Sequence, residues 1–140
     1  MKNETEKCAC QGSTLMRFVQ PIILSLLSQS ADHGYDLVQK IGQTSLWQQA
    51  LPDPAGVYRV LRDMEKRGLV QSYLDAESIA GIGKRVFSIT EEGRACMHNW
   101  LHTLRDYRDG VSDVIGRLES QLDEVPAEQG QGGTGCCCCK

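Results

Sequence analysis

The most reactive side chains in this sequence are its seven cysteines, and they are unevenly placed. Cys8 and Cys10 stand one residue apart near the amino end. Cys96 is alone, and Cys136, Cys137, Cys138 and Cys139 run together in GGTGCCCCK. With one cysteine between these terminal groups, disulfides cannot staple the fold. Neighbouring cysteines also pair poorly with each other, because a disulfide needs Cα atoms roughly 4.4–6.8 Å apart and converging side chains. Thiolates on a flexible tether instead suit a soft metal ion (zinc or Cu(I)) or an iron–sulfur cluster. Exposed thiols also oxidise and cross-link. Cys8, Cys10 and Cys136 to Cys139 are therefore candidate metal, cluster or redox residues, and the residue types do not choose among these. The bland alternative is a reduced tail with no sensing role. Cys96 is expected to be a small buried hydrophobe. His98 and His102 lie four apart, as a metal pair would, but lack a nearby third ligand and are expected to be solvated.

A second constellation is cationic. The net charge is −3, which argues weakly against a nucleic-acid partner, but distribution matters more than the sum. Tyr58, Arg59, Arg62 and Lys66 share one side of a helical stretch whose other side is Val57, Val60, Leu61 and Met64. A helix fits the major groove of B-DNA, where such side chains reach phosphates and base edges. Asp63 and Glu65 are also expected to face outward, so a solvated charged face is the competing reading. Lys84 and Arg85 stand at the base of a turn, suited to a phosphate or the minor groove, or simply to a polar hairpin.

The elements that must position these groups follow from periodicity. From Leu15 to Leu27 the apolar residues recur at helical spacing, and Pro21 predicts a kink or a helix start near Gln20. SADHG breaks that pattern. A second helix opens at Gly34 or Tyr35 and carries Leu37, Val38 and Ile41. QTSLWQQALP either prolongs it or loops to hold Trp47 against the core. Asp53 and Pro54 are the N-cap and first residue of a third helix, and Gly68 is its stop. LVQSYLD and KRVFSIT are expected strands around a long turn, with Phe87 and Ile89 alternating against Val86 and Ser88. Thr90 caps a last helix with Glu91 and Glu92 in its first turn. Met97, Trp100, Leu104, Tyr107, Val111, Val114 and Leu118 alternate three and four apart along it. A stripe that long exceeds what a small domain needs and predicts a homodimer. Trp100 and Tyr107 are core by default, or the walls of a pocket for a flat effector.

The expected fold class is therefore mostly α with a small β-hairpin wing: a winged helix-turn-helix plus a long C-terminal dimerisation helix. Residues 1–13 form a flexible arm and 14–90 the winged helix-turn-helix. Residues 91–123 form the dimerisation helix, and 124–140 a disordered glycine-rich tail.

GYDLVQKI (34–41), VYRVLRDMEKRGLV (57–70) and FSITEEGR (87–94) resemble the PadR family of transcriptional regulators. In that family a Gly-Tyr opens the second helix. A Tyr-x-x-Leu-x-x-(Leu/Met)-Glu-x-x-Gly-Leu-(Val/Ile) run forms the recognition helix and enters the first strand. Thr-Glu-x-Gly follows the second strand. Many relatives carry Gly-Arg-Pro-(Arg/Lys) in the wing, where this chain has Gly-Ile-Gly-Lys-Arg at 81–85, keeping the basic pair without the proline. The cysteine tail has no counterpart in the pattern. The resemblance implies a homodimeric, repressor-like protein on a near-palindromic double-stranded operator, released by a small effector of unknown identity. It adds Tyr35 to the DNA-facing set of Tyr58, Arg59, Arg62, Lys66, Lys84 and Arg85.

Other classes fare worse. There is no nucleophile–base pair, phosphate-cradling glycine loop or carboxylate pair in a recognisable context, so an enzyme is not expected. The longest apolar run, Phe18 to Leu27, is too short to span a bilayer. The amino end lacks the apolar core of a signal peptide, so a cytoplasmic protein is expected. A winged-helix protein-interaction module, or a small metal or sulfur carrier using the tail, remain the alternatives.

Overall fold

Pro21 decides how the chain enters its first helix. In this computed structural model, which describes residues 15–47, 51–75 and 84–123, a 3-10 turn at Leu15–Phe18 leads into α1, Val19–Gln29. Pro21 thus falls in the first turn, where a missing N–H loses no intrahelical partner. α1 buries Val19, Ile23, Leu24 and Leu27, the face its spacing predicts. A two-residue strand β1, Asp32–His33, precedes α2, Gly34–Gly42, which buries Leu37, Val38 and Ile41. The helix stops at Gly42, and backbone bonds from Thr44 to Ile41 and from Trp47 to Thr44 coil the chain. Trp47 is thereby held in the core, and residues 43–47 of the ambiguous segment turn rather than prolong α2.

α3, Pro54–Lys66, is the most strongly signalled element. The Gly56 N–H donates to the Asp53 carboxylate at 3.2 Å, and Val57, Leu61 and Met64 are wholly buried. Gly68, at φ 77°, turns the chain out of the helix in the left-handed region that favours glycine. β2, Val70–Asp75, and β3, Lys84–Ile89, then pair antiparallel from Val70 opposite Ile89 to Asp75 opposite Lys84.

The sheet differs from the expected two-stranded wing. β1 also pairs with β3, Asp32 opposite Phe87 and His33 opposite Val86, giving the order β1-β3-β2. The expected alternation within KRVFSIT holds in direction, but burial does not follow it, for the same reason. Val86 and Phe87 point to opposite faces, yet both are buried. Phe87 enters the core, while Val86 is flanked across the ladder by His33 and Tyr73. A two-residue strand carries no periodicity, so the sequence could not announce it.

α4 runs from Glu91 to Asp123. Its start is locked to the α3–β2 turn through Thr90. The Thr90 hydroxyl lies 2.5 Å from the Gly68 carbonyl and 3.0 Å from that of Leu69, and it accepts from the Gly93 N–H at 3.0 Å. Thr14–Trp100 forms one compact unit, so the opening turns of α4 belong to it, with Cys96, Met97 and Trp100 packed on its core. The other unit contributes α4 from Leu101 onward among the described residues. No described helix is long and apolar enough to cross a membrane.

Gly93 is the tightest point of this framework. A Cβ there would lie 2.2 Å from the Leu69 carbonyl oxygen and 2.7 Å from Ile89 Cγ1. Backbone cannot swing aside as a side-chain tip can. Gly93→Ala should therefore destabilise the protein by about 1–3 kcal/mol, despite alanine's better helix propensity, as measured by urea unfolding.

Candidate nucleic-acid interface

Burial of Val57, Leu61 and Met64 leaves α3 only one way to face. Arg59, Arg62 and Lys66 lie on its exposed side, and among the described residues none of the three makes an ion pair. The two acids nearby are otherwise engaged. Asp63 receives Arg67 Nε at 3.0 Å. Glu65 is half-buried and accepts the Ser72 hydroxyl at 2.6 Å, and the same Ser72 oxygen accepts Arg85 Nη1 at 2.9 Å. The expectation that Glu65 points freely outward is thus corrected: β2 passes close enough to draw its carboxylate in.

Two grooves flank the helix. One, of about 750 Å³, opens between the start of α2, α3 and β3, with Tyr35, Tyr58, Arg62, Lys84 and Arg85 among its walls. The other, of about 620 Å³, brings Arg59 and Asp63 of α3 beside Arg17 and Gln20. Arg59 and Arg62 therefore serve opposite sides of one helix. Arg17 was not legible as part of this surface, because it precedes α1 and carries no periodic signal.

Tyr58 is not a simple outward residue. It is half-buried against the core, and its ring sits where a side chain at residue 34 would be, 2.5 Å from the position of a Gly34 Cβ. Gly34 is needed for that close approach. Tyr35 is 64 % exposed, and Lys84 and Arg85 are also exposed.

A network of polar side chains joins β1, α2 and β2. His33 Nδ1 lies 3.5 Å from Asp36, and Nε2 lies 3.2 Å from Asp75. Asp32 binds Lys40, and that hydrogen bond, reinforced by the carboxylate charge and opposed by desolvation, raises the Lys40 pKa. Asp32, His33 and Asp36 bring potential ligand atoms within 4.8 Å of one another. Lys40 already neutralises Asp32 and both His33 nitrogens face carboxylates, so the cluster is satisfied by protein groups.

The remaining expected site residues divide. Cys96 is half-buried rather than buried, with its sulfur 3.8 Å from Gln20 Nε2. His98 and His102 are exposed. Of the stripe, Met97, Trp100 and Leu104 are half-buried, whereas Tyr107, Val111, Val114 and Leu118 are each more than half exposed. Cys8, Cys10 and Cys136 to Cys139 lie outside the described residues, as does the Gly-Ile-Gly of the wing at 81–83.

The profile of the PadR-like transcriptional regulator family matches residues 23–99, from the middle of α1 into α4. The chain belongs to this family. Solved structures share the fold of this PadR-like regulator. A protein from Thermoplasma acidophilum superposes with a TM-score of 0.63 at 27% identity, covering 73% of this chain and 94% of its own. A transcriptional regulator from Clostridium thermocellum gives 0.63 at 22% identity, with 72% and 94% covered. A PadR-like transcriptional regulator from Bacillus cereus gives 0.59 at 22% identity, with 74% and 97% covered. No curated protein matches the sequence. The family is one of transcriptional regulators rather than enzymes.

The Gly34–Tyr58 contact yields a test. Gly34→Ala must push the ring aside, and an aromatic ring on a rotatable bond can yield. The substitution should cost less than about 1.5 kcal/mol of stability yet shift the Tyr58 ring resonances strongly. Unchanged resonances would mean that the ring does not sit there.

Proposed function

We propose that this PadR-like regulator is a homodimeric repressor that binds a near-palindromic duplex. α3 would enter the major groove, and the basic end of β3 would reach the flanking backbone. The observation that carries this reading is charge segregation in a chain of net charge −3. Arg59, Arg62 and Lys66 are unpaired among the described residues, while Asp63 and Glu65 are held by Arg67 and Ser72. A phosphate approaching α3 therefore meets three cations that no carboxylate among the described residues neutralises, beside acids that already have partners of their own. In this reading Arg59 and Arg62 contact bases and phosphates, and Lys66 a phosphate. Tyr35, Tyr58, Lys84 and Arg85 line the groove where the backbone would lie.

The exposed stripe supports pairing of two copies. Val111, Val114 and Leu118 are 56, 52 and 58 % exposed in the single chain. A contiguous apolar face of that kind is rarely left to water. A second copy packed along it also supplies what DNA demands, two recognition helices about 34 Å apart. An interaction module would need no such pairing of cations and symmetry.

The test is binding to the duplex that the wild-type protein enriches from a random-sequence pool. Affinity should fall steeply with salt, and Arg62→Ala should weaken it about tenfold or more and flatten the log–log slope by about 0.9. Leu118→Asp should yield monomers by sedimentation and lose the palindromic preference. Failure to enrich any duplex, with the protein folded, overturns the reading.

The terminal cysteines are proposed as the effector element, holding a soft metal ion or iron–sulfur cluster, or acting as redox thiols. A ligand there shifts DNA affinity only through its differential binding to the two arrangements. Chains lacking Cys136–Cys139 and carrying Cys8→Ser and Cys10→Ser should bind the same duplex as untreated wild type but ignore zinc, Cu(I) and peroxide. A surviving response would remove the cysteines from the mechanism.

A further inference from the structure

The hydroxyl of Ser72 bridges two elements that an interface on DNA must hold in register. Its oxygen accepts from Arg85 Nη1 at 2.9 Å, and its proton is directed at Glu65 Oε1, 2.6 Å away. The direction of this relay is set by chemistry: a guanidinium only donates and an ionised carboxylate only accepts. The three residues come from three elements. Glu65 is in the last turn of α3, Ser72 is on β2 and Arg85 is at the start of β3. The ladder explains the meeting. Arg85 pairs with Leu74, so Ser72 is its diagonal neighbour on the same face of the sheet, the face whose Phe87 enters the core. Without the bridge, Arg85 is an exposed, long side chain at the edge of the wing, with many rotamers to lose on binding.

We propose that Ser72 is a positioning residue for DNA binding: through Glu65 it fixes the Arg85 guanidinium against the recognition helix, so that wing and helix meet the duplex as one rigid surface. This rests on the function proposed above. One consequence separates it from ordinary structural support. The bridge occupies one guanidinium nitrogen and leaves the remaining N–H groups for a phosphate in the groove that Arg85 shares with Arg62 and Lys84, a groove that Glu65 also lines.

The test compares Ser72→Ala, Arg85→Ala, the double variant and Ser72→Thr on the duplex enriched by the wild-type protein. Ser72→Ala should weaken binding about fivefold to tenfold, lower the salt slope by up to about one, and lose hydroxyl-radical protection at the flanks but not over the central contacts. The double variant should be no weaker than Arg85→Ala, because Ser72 acts through Arg85. Ser72→Thr, which keeps the hydroxyl on a strand-favouring residue, should restore affinity and protection. In the free protein, 15N relaxation at Arg85 Nε should report more motion in Ser72→Ala and wild-type order in Ser72→Thr. Wild-type affinity and salt slope for Ser72→Ala, or multiplying losses in the double variant, would overturn the positioning role while leaving DNA binding intact. A wild-type protein that enriches no duplex would instead remove the reading beneath it.

Discussion

Three apolar side chains on α3 fix the face that carries the candidate interface. Val57, Leu61 and Met64 are wholly buried against the faces of α1 and α2. Removing side chains of that size from water is worth about 1.5–3 kcal/mol each, so the helix cannot roll without large loss. A helix that cannot roll presents a fixed outer face. Arg59, Arg62 and Lys66 are arranged by the burial of residues on the other side, not by any contact of their own. The same constraint puts Tyr58 at the rim, where Gly34 leaves space for its ring.

Around that helix, charge is sorted by local geometry rather than by composition. The segment from residue 53 to 94 is balanced in acids and bases, so a count predicts no field. The fold breaks the balance. Asp63 meets Arg67 one turn on, Glu65 meets Ser72 across the turn at Gly68, and His33 lies between Asp36 and Asp75. Partnered acids lie inside the unit's own networks, and three bases on α3 are left without partners among the described residues. A chain of negative net charge can in this way offer a locally positive helix, the feature on which the reading of a DNA-binding regulator depends.

Much of this was visible in the residues. The Asp53–Pro54 start, the stop at Gly68, the Thr90 cap and the apolar spacing of α1 to α3 are local signals, and each held in the fold. The three blocks that resemble the PadR family are the same signals in order, and the family match runs through them. The failures share a cause. β1 is two residues long and leaves no period. Val86 is buried because a strand far away in sequence lies beside it. Arg17 joins the surface only because the approach to α1 lies beside α3. Glu65, expected to project freely, is drawn in by a β2 residue.

The sequence by itself determined the four helices and the two longer strands, the caps and stops of α3 and α4, and which side of α1, α2 and α3 is apolar. Those properties come from interactions within a few residues: caps, turn glycines and side-chain spacing. Only the tertiary structure decided which polar groups are neutralised and which are free. A hydroxyl at residue 72 bridging residues 65 and 85, or a tyrosine at 58 lying over a glycine at 34, depends on chain segments being brought together by the core. Charge acts through space, and one-dimensional spacing does not encode which opposite charge will be nearest.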